Sequence, residues 1–397
     1  MRWVAAVTKG RQLPFRVVGL FSGIGGFELG LERAGCKTAL LCEKDPVARR
    51  VLESRFPKLE VVEDVEDLRS LHDVDMLTAG FPCQDLSQAG RRRGISGSKS
   101  SIVRRVFELL ERNDVPWVLI ENVPFMLWLQ GGSAIKYLIS EFERLGYRWA
   151  YRVIDTRAFG LPQRRQRVFL LASRSGEPAR ALLGPDADNL VDRRAAQIEL
   201  DGRPLGFYWT EGNRGVGWAE DAIPALKPGS GKGIPSPPAI LFPSGFIGLP
   251  DIEDAEALQG FPRGWSSPAE GVARRRYRWK LVGNAVSVPV VKWIGERVLS
   301  EDDEPRVVAA AAWGTEDPSP RAAFGAAGDR FSVAVGPFPV RRRIKSLARI
   351  VTTNPRPLSS RATKGFAARL ERSSLDKPKW FLDALRQHWR QDHKWTE

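Results

Sequence analysis

Between residues 15 and 173, short apolar runs alternate with stretches whose apolar positions recur at helical spacing. The runs at 15–21, 38–42, 59–62, 74–79, 117–120, 150–154 and 167–172 have the length and residue types of strands. The segments at 26–34, 46–55, 101–112 and 134–145 carry the period of amphipathic helices. This alternation predicts a doubly wound α/β sheet, because parallel neighbours need a helical crossover between them. Such sheets bind ligands beyond the carboxyl ends of their strands. The polar motifs of this chain fall at those predicted ends.

The pattern changes after residue 173. Residues 174–271 are rich in Gly and Pro (Pro224, Pro228, Pro235, Pro237, Pro238) with weak periodicity, which predicts a smaller, loop-rich domain. Regular patterning returns at 272–299, with a helix headed by Val288-Pro289, and is expected to rejoin the first domain, 14–173. Residues 300–397 read as an acidic, Ala-rich linker followed by a basic extension that includes Arg341, Arg342, Arg343, Lys345, Arg349, Arg356, Arg361 and Lys364. Within it, 379–390 has the pattern of a short amphipathic helix, with Trp380, Leu385 and Trp389 as packing residues.

Composition narrows the class. The 397 residues carry a formal net charge of +14, which points to a polyanionic partner, nucleic acid before membrane. No apolar stretch reaches the ~18 residues of a membrane span, and the N-terminus lacks the core of a secretory signal. Three cysteines (Cys36, Cys42, Cys83) make no disulfide framework, and with three histidines there is no metal-ligand spacing, so no metal is expected. A reduced, cytoplasmic protein is expected.

Five motifs carry candidate chemistry. Phe21-Ser22-Gly23-Ile24-Gly25-Gly26 follows a strand and opens a helix, where glycines let the backbone approach a ligand. It is not the dinucleotide pattern, because Glu28 stands at the last glycine position. Glu43, one residue past the 38–42 run, is placed to accept from ribose hydroxyls, and Asp64, after the next run, from an adenine amino group. Pro82-Cys83-Gln84 follows the run ending at Phe81, and Glu121-Asn122 ends the 117–120 run. A nucleophile and an acid at strand ends are what covalent attack on a pyrimidine ring requires. Gln84 and Ser87 lead into the glycine-hinged Arg91-Arg92-Arg93, a loop suited to closing over phosphates. Gln163, Arg165 and Arg167 alternate along an extended segment, so both arginines share one face.

These motifs, with Leu258-Gln259-Gly260-Phe261-Pro262 and Val282-Gly283-Asn284-Ala285-Val286, resemble the C5-cytosine-specific DNA methyltransferases over about residues 17–298. The resemblance implies a doubly wound, Rossmann-like S-adenosylmethionine-dependent methyltransferase domain with a smaller target recognition domain. It implies a cofactor pocket formed by Phe21, Ser22, Gly23, Gly25, Gly26, Glu43, Asp64, Pro82, Asn284 and Val286. Cys83 is then the nucleophile that adds to carbon 6 of a flipped-out cytosine. Glu121 lies near ring nitrogen 3, Arg165 and Arg167 approach the base and its flanking phosphate, and Asn122 holds the loop. Gln84, Ser87, Arg91, Arg92, Arg93, Asn122, Gln163 and Arg214 are the expected substrate and DNA contacts. Arg203, Asn213, Lys227 and Lys232 join Arg214 as candidates for base readout. One departure is Gly19, where many relatives carry an acid.

The reading is therefore methylation of carbon 5 of cytosine at a short site in double-stranded DNA, by a monomer of a bacterial or phage restriction–modification system with a separate cognate endonuclease. An RNA (tRNA) cytosine-5 methyltransferase and a catalytically silent DNA-binding protein of the same fold stand as alternatives. A nicotinamide dehydrogenase is the weakest. The 341–379 stretch is expected to add nonspecific DNA affinity, so that truncation at Ser300 would flatten its salt dependence.

Overall fold

A computed structural model describes residues 14–81, 101–187, 202–210, 218–229, 235–300, 307, 311–314, 316–352, 355–374 and 377–390. Five strands, β1 (Arg16–Leu20), β2 (Lys37–Cys42), β3 (Val61–Val62), β4 (Met76–Ala79) and β5 (Trp117–Asn122), lie parallel in the order β3-β2-β1-β4-β5. Beyond β5 the sheet turns antiparallel, with β8 (Gln166–Ser173) beside β5 and β6 (Arg148–Asp155) beside β8. Alternate residues of each strand feed two cores. Val18, Leu20, Leu77, Ala79, Val118 and Ile120 face one layer, and Val17, Met76, Leu119, Phe169 and Leu171 face the other. That two-sided burial explains why these strands read as continuous apolar runs.

Helices cover both faces. Helix α1 (Gly26–Ala34) starts from Gly25 at φ 82° and stops at Gly35, whose φ of 104° lets the chain turn back into β2. Helix α2 (Pro46–Arg55) is capped by Asp45, which accepts from the Val47 amide, with Pro46 in the first turn. The expected boundaries hold to within a few residues, with one consequential exception. β5 runs on through Glu121 and Asn122, which pair with Phe169 and Val168 of β8. Glu121 is thus held by a strand, not by the loop beyond it.

A second, antiparallel sheet holds β9 (Leu205–Phe207), β10 (Trp218–Glu220), β12 (Ala239–Leu241), β13 (Ile247–Leu249) and β17 (Arg356–Pro357), in the order β10-β9-β12-β13-β17. A short parallel pair, β7 (Gln163–Arg164) with β11 (Ile223–Pro224), joins it to the large domain.

The segment after Ser300 corrects the expectation of a linker and a basic tail. β14 (Ala311–Ala312), β15 (Ala322–Ala326) and β16 (Asp329–Ser332) extend the large sheet beside β6, completing a 10-stranded sheet. β17 closes the edge of the small sheet, and the helices Ser360–Arg372 and Lys379–Arg390 pack on it. Phe366 stacks on Phe207 with ring centroids 4.9 Å apart, and Phe381 meets Phe207 edge-on at 5.3 Å. In the last helix the buried residues are Phe381, Leu385 and His388, while Trp380 and Trp389 pack from the side. Trp313, Phe338 and Leu347 enter three further core clusters, so the extension contributes to every hydrophobic core of the molecule.

Candidate active site

The order of the parallel strands reverses between β1 and β4, so the loops leaving them diverge at their carboxyl ends. A crevice of about 640 Å³ lies there, within the range of small-molecule sites. Its walls come from the ends of all five parallel strands, from Arg165 and Arg167, and from residues 281–286.

The turn after β1 forms one wall. Phe21 and Gly23 both have φ 57°, a left-handed conformation that is strained for a phenylalanine. The Phe21 ring meets Phe81, at the end of the β4 segment, edge-on at 6.2 Å. Ser22 is buried on the crevice wall, and its hydroxyl makes no hydrogen bond of regular geometry. The glycines divide their work. A Cβ at Gly23 would meet nothing within 4 Å, so the backbone there faces open space. A Cβ at Gly25 would stand 2.6 Å from the Phe56 ring, and one at Gly26 2.8 Å from Val286 Cγ1. Both positions are closed to a side chain by packing neighbours, and Gly26 also lines the crevice.

Glu43 lines the crevice, but its two oxygens already accept from Gly23 N at 2.7 Å and Asp45 N at 2.8 Å. It therefore ties the glycine turn to the end of β2. Burial pushes its carboxyl above the ordinary range, and the same amides oppose the shift. Asp64 accepts from exposed Lys44 at 2.7 Å and from Glu66 N at 3.1 Å, and the bond to Lys44 holds its carboxyl below the usual value. Asp45, which no sequence motif singles out, caps α2 and also accepts from Tyr277 and Lys280 at 2.9 Å each. That tie brings the 278–284 helix to the crevice, where Asn284 is exposed and Val286 packs on Gly26. Gly283 permits the approach, because a Cβ there would overlap the Lys227 backbone.

Glu121 and Arg167 also line the crevice, with Arg167 Nε 2.9 Å from Glu121 Oε1. Burial lowers the pKa of the Arg167 guanidinium, and Glu121 counters it. Arg165 is only 1% exposed and donates to the carbonyls of Leu226, Gly283 and Ala285, at 2.9, 3.3 and 2.8 Å. Its Nε is buried without a partner. Burial, with Arg167 beside it, brings its pKa to about 9, which leaves it protonated at neutral pH. Arg165 thus clamps the Leu226 segment and the 278–286 segment together at the crevice wall.

Gln163 corrects its expected role as a DNA contact. It is fully buried, accepts from Leu226 N at 2.8 Å, and donates to Leu258 O at 2.9 Å and Gln259 Oε1 at 3.1 Å. It joins the β8 entrance to the 252–259 helix. Asn122 is also buried, donating to Phe81 O at 3.0 Å while its own oxygen accepts from Val123 N at 2.9 Å. It therefore fixes where the β4 chain leaves the sheet. Pro82, Cys83, Gln84, Ser87, Arg91, Arg92, Arg93, Asn213, Arg214 and Lys232 lie outside the described residues. Arg203 is paired with Glu220 at 2.8 Å, and Lys227 sits 4.1 Å over the Tyr208 ring.

A glycine-turn crevice at the switch point of a doubly wound sheet, with a carboxylate–guanidinium pair in its wall, is the small-molecule site of a Rossmann-like fold. The model for the C-5 cytosine-specific DNA methylase family matches residues 15–199. The chain is 44% identical to the type II methyltransferase M2.BsuMI of Bacillus subtilis, over 90% of this chain and 93% of that one. It is 29% identical to the type II methyltransferase M.NgoBI of Neisseria gonorrhoeae, over 70% of this chain and 91% of the relative. The chain belongs to the C-5 cytosine-specific DNA methylase family, and it is a DNA cytosine-5 methyltransferase. In fold it is similar to the Entamoeba histolytica methyltransferase EhMeth, with TM-score 0.51 at 14% identity, covering 72% of this chain and 98% of that one. The S. pombe Dnmt2 methyltransferase gives TM-score 0.50 at 16% identity, covering 70% and 97%.

Proposed function

We propose that the chain methylates carbon 5 of cytosine at one short site in double-stranded DNA, using S-adenosylmethionine, through a covalent adduct with Cys83. The observation that carries the residue roles is the Glu121–Arg167 pair, which lines the same crevice as the β1 turn. The residues present suit the methyl donor: an open backbone at Gly23, the buried Ser22 hydroxyl, the Glu43 carboxylate and exposed Asn284 surround one space. When bound, that cofactor supplies an electrophilic methyl group on a sulfonium.

The remaining chemistry belongs to the protein. The Cys83 thiolate adds to carbon 6 of the cytosine, and carbon 5 becomes enamine-like and nucleophilic. Glu121 donates or shares a proton at ring nitrogen 3, which stabilises the adduct, while Arg167 holds the carboxyl in place. After methylation a water molecule takes the carbon 5 proton, and the electron pair of the broken C–H bond forms the carbon 5–carbon 6 double bond and expels the thiolate, restoring Cys83. The cytosine must leave the helix for this, at a cost of about a few kcal/mol. The small sheet with its two helices is the reading domain, and the enzyme acts as a monomer in the cytoplasm, beside a separately acting endonuclease of a restriction–modification system. Among the described residues no helix is long and apolar enough to cross a membrane.

Expression in a bacterium lacking cytosine methylation, followed by sequencing for modified cytosines, tests the proposal. Methylation at one motif, absent with Cys83→Ala, is the expected result. Unmodified DNA beside soluble wild-type protein, with methylated cellular RNA, would transfer the activity to RNA.

A further inference from the structure

One fully buried acid has no part in the methyl transfer itself. Glu28, in the first turn of α1, is 0% exposed, and neither carboxyl oxygen makes a hydrogen bond of regular geometry. Its place is defined by a glycine. A Cβ built at Gly19 of β1 would overlap Glu28 Oε1 and stand 2.6 Å from Ser22 Oγ. The carboxyl therefore fills the volume that a side chain at position 19 would take, against the hydroxyl of the crevice residue Ser22. Thr78 pairs in register with Gly19 on β4, so its side chain stands on the same face of the sheet. Its buried hydroxyl also lacks a partner. Four buried polar atoms without a hydrogen bond of regular geometry thus gather beneath the turn that contains strained Phe21 and open Gly23.

A buried acid without a salt bridge is destabilising unless its surroundings need it there. Burial raises the pKa of Glu28 to about 7, with its own amide and the Ser22 hydroxyl opposing, so the carboxyl is a hydrogen-bond donor for much of the range below neutrality. Resting on the methyl-transfer reading of the crevice, we infer that Glu28 is a positioning residue for the cofactor turn. Its carboxyl, lodged in the space left by Gly19, holds Ser22 and the 21–23 turn in the shape that receives the methyl donor.

The experiment compares wild type, Glu28→Gln, Glu28→Ala, and Glu28→Ala combined with Gly19→Asp, which moves the acid from helix to strand. Calorimetry measures S-adenosylmethionine affinity, thermal melts without cofactor measure folding, and saturating-cofactor assays give kcat. Glu28→Ala is expected to weaken cofactor binding at least tenfold while kcat changes less than threefold. Glu28→Gln, which keeps a hydrogen-bonding group of the same shape, and the double variant are expected to bind within threefold of wild type. Wild-type affinity in Glu28→Ala, or equal losses in affinity, kcat and melting temperature, would overturn the inference. Should Glu28→Ala not fold, the double variant decides: soluble protein with near wild-type affinity supports the inference, and tenfold weaker binding or insolubility overturns it. Failure of the wild type to bind the cofactor would instead remove the methyl-transfer reading itself.

Discussion

At Glu121 the proposed catalytic role can be tested apart from its structural one. Its strand backbone, its ion pair with Arg167 and its position on the crevice wall are fixed by β5 and β8 together. Glu121→Gln keeps the shape and removes the acid, so single-turnover methylation is expected to slow by about 10²–10⁴, the usual range for losing a general acid, with DNA affinity retained. Glu28 gives a different signature. Its folded pKa, about 7, lies above the ordinary carboxyl value of 4.5, so its stabilising contribution is complete below about 4.5 and is lost as pH rises through 7. The groups around it add no cation: Glu32 and Glu43 raise it further, and Ser22 and Thr78 are neutral. Urea denaturation between pH 5 and 8 should show wild type losing stability along this range and Glu28→Gln losing less. A similar slope in both proteins would contradict the assignment.

Among the elements, the join between the 252–259 and 278–284 helices rests on buried charge. Glu256 is 0% exposed and accepts from Arg278 Nη2 at 2.7 Å, Ser266 N at 2.8 Å and Trp265 N at 3.1 Å, while Arg278 Nε donates to Ser266 Oγ at 2.8 Å. Breaking such a pair leaves an uncompensated charge in the interior. Arg278→Leu is expected to cost about 3–5 kcal/mol in a denaturant titration. Trp265 continues the connection by donating to Ile24 O at 2.7 Å, within the glycine-rich turn. None of this is legible along the chain. Glu256 and Arg278 resemble ordinary surface charges of amphipathic helices until the packing brings them together. Gln163 reads as a DNA contact for the converse reason: it stands among arginines, and only the facing 226 and 258–259 segments take up its amide.

At the scale of the molecule, the extension after Ser300 is part of the fold. The small-sheet core contains Leu358, Phe366, Leu370, Phe381 and Leu385 alongside Phe207, Leu241 and Ile247. His388 accepts from Ile247 N at 3.2 Å through Nδ1, and its Nε2 lies 2.9 Å from Leu358 O, which assigns the proton to Nε2. A chain ending at Ser300 is therefore expected to be insoluble or to melt without a cooperative transition in differential scanning calorimetry, which masks any charge effect. A contribution of its basic residues to DNA affinity, as proposed from their charge, would come from exposed positions such as Arg361 and Lys364. Their replacement by Gln should reduce the salt slope by about 0.9 for each phosphate that is no longer neutralised.

By itself the sequence determined the strand and helix alternation, the placing of Gly23 and Glu43 just past strand ends, and the resemblance that those motifs carry. Local periodicity and turn residues encode these features over a few positions. Tertiary structure alone decided that Gln163 is a buried tie, that Arg165 clamps two units, that Glu28 occupies the space beside Gly19, and that the extension completes both sheets. Each of these depends on contacts between residues far apart in the chain. The strands involved are too short, as at Ala311–Ala312, or too rich in Ala and Gly, as at Ala322–Ala326, to show a pattern of their own. Such a strand forms because a neighbour offers an edge for hydrogen bonding, and that edge exists only in the folded chain.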